Sequence, residues 1–304
     1  MNKLNKKYRG VIVPMVSPVN EDLSIDTDAV HKILDLLIGA GASPFLLGTN
    51  GESVSLSETQ KLKLIEETVS YVNRKATVFA GISGNCLEES IRNARLYAQI
   101  GVDVVVAHLP FYFPLSADQM LKYYEQLADS VPCPLIIYNN PITVKQSIPL
   151  EVIEQLSHHH NIAGLKDSER GMERLNQALY LWSKRTDFVY LLGWTVQSAY
   201  ALLNGSDGIV PSTGNFIPGL YKDLFDAALC NDQTKAFDYQ HKADRISDIY
   251  VKNRNISQSI PALKFIMSLT GLCQPFVLPP LSIPDLREQN EIRELVMAEP
   301  GIPD

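Results

Sequence analysis

The apolar run Ile162-Ala163-Gly164-Leu165 ends in Lys166-Asp167-Ser168. An ammonium closing such a run is poorly solvated, and its pKa falls toward that of a neutral, nucleophilic amine. A neutral amine condenses with carbonyl compounds to give imines. The alternative is a lysine that buries its stem and reaches water with its head. Position alone does not separate the two.

Other polar residues also close apolar runs. Tyr138 follows Pro134-Leu135-Ile136-Ile137 and precedes Asn139-Asn140-Pro141, a turn sequence that stops a strand and holds the phenol at its end. There a phenol can relay a proton, although a strand tyrosine can equally be a core residue with a satisfied hydroxyl. Gly48-Thr49-Asn50-Gly51-Glu52 sets two glycines around a hydroxyl and an amide. Such a stretch lets backbone N–H groups cradle a small anion such as a carboxylate, and it can also be an ordinary turn. Pro110-Phe111-Tyr112 closes a fourth run. His158-His159-His160 does not share one helix face, so contact with a helix C-terminus accounts for it better than a metal. Glu66-Glu67 and Glu88-Glu89 read as solvated helix faces.

These run ends belong to a regular alternation. Apolar runs begin at Gly10, Pro44, Thr77, Asp103, Pro134, Ile162, Phe188 and Gly208, separated by amphipathic segments. That is the pattern of a parallel α/β fold, and eight such strands close a barrel. Hydrophobicity is continuous within the runs, as expected when strands lie between a packed interior and an outer ring of helices. In a (β/α)8 barrel the site lies at the C-terminal ends of the strands, where Lys166, Tyr138, Thr49 and Tyr112 fall. Leu62, Ile65, Val69 and Val72 form one helical stripe, with Ser57 and Gln60 as its capping box. Leu87, Ile91, Ala94 and Ala98 form another, and Ser116 with Gln119 caps a third helix.

Residues 1–230 are expected to form an α/β TIM barrel carrying the site, and residues 231–304 a helical extension packed on it. Helices are predicted over Gln233–Tyr250, Ser257–Leu269 and Pro284–Met297. The proline-rich connector from Gln274 to Asp285 is expected to run extended along the surface.

A formal charge of −7 argues against nucleic acid or an anionic membrane surface, which need a positive field. A small anion must then be held by local donors. Cys86, Cys133, Cys230 and Cys273 show no C-x-x-C spacing, so reduced thiols are expected rather than zinc ligands or disulfides. The basic start lacks the apolar region of a secretory signal, and no stretch approaches the roughly 18 apolar residues of a membrane span. A cytoplasmic protein is expected.

The segments GTNGE, PFYFP, YNNP and GLKDS, in this order at the ends of strands two, four, five and six, resemble the dihydrodipicolinate synthase and N-acetylneuraminate lyase superfamily. The likeness runs from GVIVPM through GSDGIVPSTGN to the helical tail. It implies that Lys166 forms the Schiff base, that Tyr138 shuttles protons, and that Thr49 with Tyr112, lent by a neighbouring subunit, completes a hydroxyl relay. It also implies that Thr49 and Asn50 bind the substrate carboxylate beside Gly48 and Ser168, with Gly193, Thr195, Val210 and Ser212 lining the pocket. Homotetramers assembled as dimers of dimers are implied too, with neither metal nor organic cofactor.

Departures from the pattern bear on the substrate. After its Tyr-Asn-x-Pro motif the lysine-pathway synthase carries an arginine, where this chain reads Pro141-Ile142-Thr143 and lacks that bidentate clamp. Gly193-Trp194-Thr195-Val196 replaces the acidic residues with which the sialic-acid lyase holds sugar hydroxyls. Asn50 replaces a more usual threonine, as in 4-hydroxy-2-oxoglutarate aldolases of the superfamily. The expected activity is reversible cleavage of a 2-keto-3-deoxy or hydroxy-keto acid to pyruvate and an aldehyde. Dihydrodipicolinate synthesis and dehydration are the alternatives on the same imine. A non-catalytic keto-acid-binding regulator is the alternative of another class, and the intact lysine and tyrosine argue against it.

Overall fold

A computed structural model describes residues 6–302. The parallel strands β1 (Gly10–Pro14), β2 (Ser43–Leu46), β3 (Phe79–Gly81), β4 (Val104–His108), β5 (Leu135–Asn139), β6 (Ile162–Asp167), β7 (Val189–Leu192) and β8 (Gly208–Ile209) close a barrel in sequence order. Each of the eight apolar runs supplies one strand. The basic start and the outermost ends of the segments 1–230 and 231–304 include residues outside the described range.

Continuous hydrophobicity in the strands is explained by two packed layers. One face points inward, where Ile12, Phe45, Phe79, Val104, Val106, Ile136, Val189, Leu191 and Val210 fill the barrel. The other face meets the helices α1 (Thr27–Gly39), α2 (Glu58–Val72), α3 (Leu87–Ile100), α4 (Ala117–Ser130), the short α5 (Pro141–Val144), α6 (Leu150–Leu156), α7 (Met172–Trp182), α8 (Ser198–Leu203) and α9 (Pro218–Leu229). Capping boxes at Ser57 and Gln60 and at Ser116 and Gln119 start α2 and α4.

The buried faces are broader than the simple stripes. Helix α2 buries Leu64, Ile65, Thr68 and Val72, while Leu62 and Val69 are only partly covered. Helix α3 buries Ser90, Ala94 and Tyr97, with Leu87, Ile91 and Ala98 at the margin. A helix on a curved barrel touches two neighbouring helices as well as the sheet, so its contact arc exceeds one row.

Helices α10 (Gln233–Val251), α11 (Ile256–Leu269) and α12 (Leu286–Ala298) form the C-terminal extension. A third capping box, Asn255 with Gln258, begins α11. The connector between α11 and α12 is irregular as expected, but it does not simply follow the surface. Val277 and Leu278 are buried, and the Phe276 carbonyl accepts a hydrogen bond of 2.9 Å from Lys264 Nζ. Proline dictates an extended path; apolar side chains decide which side of that path turns inward. Among the described residues no helix is long and apolar enough to cross a membrane.

Candidate active site

Tyr138 on β5 and Lys166 on β6 are register partners, as are Asn139 and Asp167 beside them. Side chains alternate along a strand, so Tyr138 and Lys166 face the barrel interior while the second pair faces the helical ring. Both layers matter to the site.

On the inner side, Lys166 Nζ lies 3.8 Å from the centre of the Tyr138 ring and 4.6 Å from that of Phe45. Burial lowers the pKa of Lys166 from the ordinary lysine value, and Tyr138 offsets this only in part. Burial also works against ionising Tyr138. The Lys166 charge and the hydroxyls of Thr49 and Ser168 outweigh it, however, and hold the phenol below its ordinary value. Asn140 Nδ2 donates a further 2.9 Å hydrogen bond to the Tyr138 oxygen. The two ionisations are linked: a positive charge at Lys166 favours the phenolate, and loss of that charge leaves a reactive amine beside a phenol.

On the outer side, the Asp167 carboxylate accepts 2.8 Å bonds from Asn139 Nδ2 and Arg174 Nε. Burial raises the Asp167 pKa, and Arg174 and Asn139 work against that rise. Asn139 also donates to Glu169, and the Asp167 carbonyl accepts 2.6 Å from the Gly193 N–H. A Cβ on Gly193 would lie 2.1 Å from Ser168 Oγ, so only glycine lets the end of β7 approach the residues after Lys166 this closely.

A cleft of about 390 Å³ opens above the lysine. It brings together Thr49, Asn50, Tyr138, Lys166, Ser168, Gly193, Thr195, Val210 and Ser212, nine residues singled out from the sequence. Gly48 lies buried beneath it, where a Cβ would stand 3.2 Å from the Phe45 ring. Tyr112 is not in the cleft. It is 74% exposed, beside the exposed Phe113, and the Asn85 side chain accepts from the Phe111 and Tyr112 N–H groups.

Several lining residues carry no sequence signal. In the sequence Asn140 reads only as part of a turn. Ser247 and Tyr250 come from α10, and Ser259, Ile260 and Leu263 from α11, so the barrel does not make the cleft alone. The Tyr250 hydroxyl hydrogen-bonds Ser212 at 2.6 Å and Thr213 at 2.9 Å, tying α10 to the turn after β8. His108, in register with Tyr138, has its pKa lowered by burial. Among the described residues no His, Cys, Asp or Glu cluster could hold a metal ion. His158 and His159 instead follow α6 and meet Glu154 and Asp129.

A closed parallel barrel with a desolvated lysine against a phenol at its C-terminal mouth defines a carbon–carbon lyase of the Schiff-base class. The chain belongs to the dihydrodipicolinate synthetase family, whose model matches residues 7–299. It is 28% identical over 302 residues to a probable 2-dehydro-3-deoxy-D-pentonate aldolase of Escherichia coli K12, covering 98% of this chain and 99% of the relative. It is 31% identical to an uncharacterized DapA-like lyase of Thermococcus onnurineus, covering 95% and 98%. The dihydrodipicolinate synthase structure from Bacteroides thetaiotaomicron superposes with a TM-score of 0.91 at 30% identity, covering 97% and 99%. YagE of Escherichia coli K12, solved in complex with pyruvate, gives 0.90 at 27%, covering 96% and 98%.

Proposed function

We propose that this lyase cleaves, reversibly, a 2-keto-3-deoxy or hydroxy-keto acid to pyruvate and an aldehyde. The carrying observation is the buried amine of Lys166 against the Tyr138 ring. Lys166 attacks C2 of the keto acid and water leaves, giving an iminium. Tyr138 takes the proton of the C4 hydroxyl, the C3–C4 bond breaks, and its electron pair enters the iminium to give an enamine while the aldehyde departs. Protonation at C3 and hydrolysis return pyruvate and the free amine.

Thr49 and Asn50 hold the C1 carboxylate above Gly48. Ser168 bonds the phenolate, and Gly193, Thr195, Val210 and Ser212 shape the wall toward the departing aldehyde. Tyr112 completes the relay from a neighbouring subunit of a homotetramer; its exposure in the single chain supports that role. The relatives named as pentonate and gluconate aldolases support cleavage. Relatives named as 4-hydroxy-tetrahydrodipicolinate synthases keep condensation as the second reading on the same imine. The absence of an arginine at Pro141-Ile142-Thr143, where the synthase pattern has one, supports cleavage over condensation; Ile142 and, from another loop, Arg170 line the cleft. The four free cysteines support a reducing, cytoplasmic setting.

Borohydride reduction with pyruvate should place a reduced pyruvyl adduct on Lys166, seen by mass spectrometry of the digest. A screen of 2-keto-3-deoxy acids followed by NMR should then show pyruvate formed. Aspartate semialdehyde and sialic acid should be poor substrates. An adduct on another lysine, or none, removes the central claim; efficient condensation with aspartate semialdehyde would select the second reading.

A further inference from the structure

Glu52 and Lys264 form an ion pair of 2.5 Å whose side chains are 1% and 0% exposed. Glu52 closes the loop that carries Thr49 and Asn50, while Lys264 lies on α11, more than two hundred residues later. The second Glu52 oxygen accepts 2.7 Å from the Leu278 N–H, and Lys264 Nζ donates 2.9 Å to the Phe276 carbonyl. Loop, helix and connector therefore meet at two opposite charges.

Cohesion alone does not call for such a pair. Desolvating two charges is costly, and well-packed apolar side chains of similar volume often hold elements together as well or better. The hydrogen bond from the Leu278 N–H to the Glu52 carboxylate adds direction, and the Lys264 ammonium beside the other oxygen holds the charge there. The local backbone needs that constraint. Glu52 has φ +51°, a left-handed conformation that a residue with a side chain seldom adopts unless its surroundings enforce it. Its N–H donates 3.1 Å to the Thr49 carbonyl, so the orientation of Glu52 is passed directly to the residue beside Asn50. Ser17 Oγ holds the Gly51 carbonyl at 2.7 Å, completing the clamp.

We infer that Lys264 is a positioning residue for the site. Through Glu52 it holds the Thr49–Asn50 loop in the geometry that receives the substrate carboxylate, making the C-terminal extension part of substrate binding. The inference rests on the reading of Thr49 and Asn50 given above.

The test compares trapping of pyruvate with trapping of pyruvamide, its neutral counterpart, on Lys166 of the full chain. Wild type should favour pyruvate. In Lys264→Met the half-saturating pyruvate concentration should rise by roughly tenfold, the effect of misplacing one good hydrogen bond, while that for pyruvamide moves less than about twofold. Because Lys264→Met leaves a buried unpaired carboxylate and can fail to fold, the double variant Glu52→Gln with Lys264→Met is measured beside it. The neutral amide introduced by Glu52→Gln still accepts from the Leu278 N–H, so the thermal midpoint should return toward wild type while pyruvate binding stays weak. If pyruvate affinity recovers together with stability, or both ligands weaken equally, the pair is only structural and the inference fails. If wild type itself traps pyruvate no better than pyruvamide, the carboxylate reading of Thr49 and Asn50 is what fails, and the inference falls with it.

Discussion

Tyr138 and Lys166 face each other as register partners on adjacent parallel strands, with the amine nitrogen 3.8 Å from the centre of the phenol ring. Parallel pairing fixes this contact through the backbone, so no long side chain has to search for its partner. The two groups then titrate together, each setting the charge the other meets. The arrangement suits imine chemistry and costs stability, because an amine is kept where an ammonium is unwelcome.

That cost is measurable. The folded pKa of Lys166 is depressed, so at neutral pH the unfolded chain binds protons more readily at this position, and stability rises as pH rises toward the ordinary lysine value of 10.5. Lys166→Met, similar in volume, should therefore be inactive yet more stable than wild type at pH 7. Thermal unfolding followed across pH should show the advantage shrinking as pH climbs to 10.5. A variant no more stable than wild type at neutral pH would contradict the assigned desolvation.

A second consequence concerns Asn140, whose amide donates 2.9 Å to the Tyr138 oxygen. Donation to that oxygen favours the phenolate. In Asn140→Leu the Tyr138 pKa should move upward, and the ascending limb of the kcat/KM profile for cleavage should shift alkaline. Above the shifted limb the rate should largely return. A uniformly lower profile with an unmoved limb would assign Asn140 to substrate contact instead.

Most of the barrel was legible because its signals are local: eight apolar runs became eight strands, and Ser57 with Gln60 announces a helix start by itself. The inner site was legible for the same reason, since Lys166 and Tyr138 each close a run. What sequence concealed is tertiary. Ser247, Ser259 and Leu263 share a cleft with Lys166 only because α10 and α11 fold back over the barrel mouth. The surface path expected of the connector fails at Val277 and Leu278 because proline content reports backbone shape and not burial. Glu52 looked like the end of a turn, and its partner Lys264 lay in another segment of the chain.

Tyr112 is 74% exposed and stands outside the cleft of its own chain. Phe111 and Phe113 are exposed beside it, and an aromatic cluster of this kind is more often covered by a partner than left to water. If Tyr112 joins the relay of a neighbouring subunit, Tyr112→Phe should slow turnover by about 10- to 10⁴-fold, as for a lost proton-transfer group, with the oligomer intact. Location then follows from mixing. Lys166→Arg subunits, inactive by themselves, are reassembled with Tyr112→Phe subunits, so that some paired sites combine an intact lysine with an intact tyrosine from the other chain. Activity should rise above that of either parent. Mixed oligomers seen by sedimentation without that recovery would show that Tyr112 does not act across an interface.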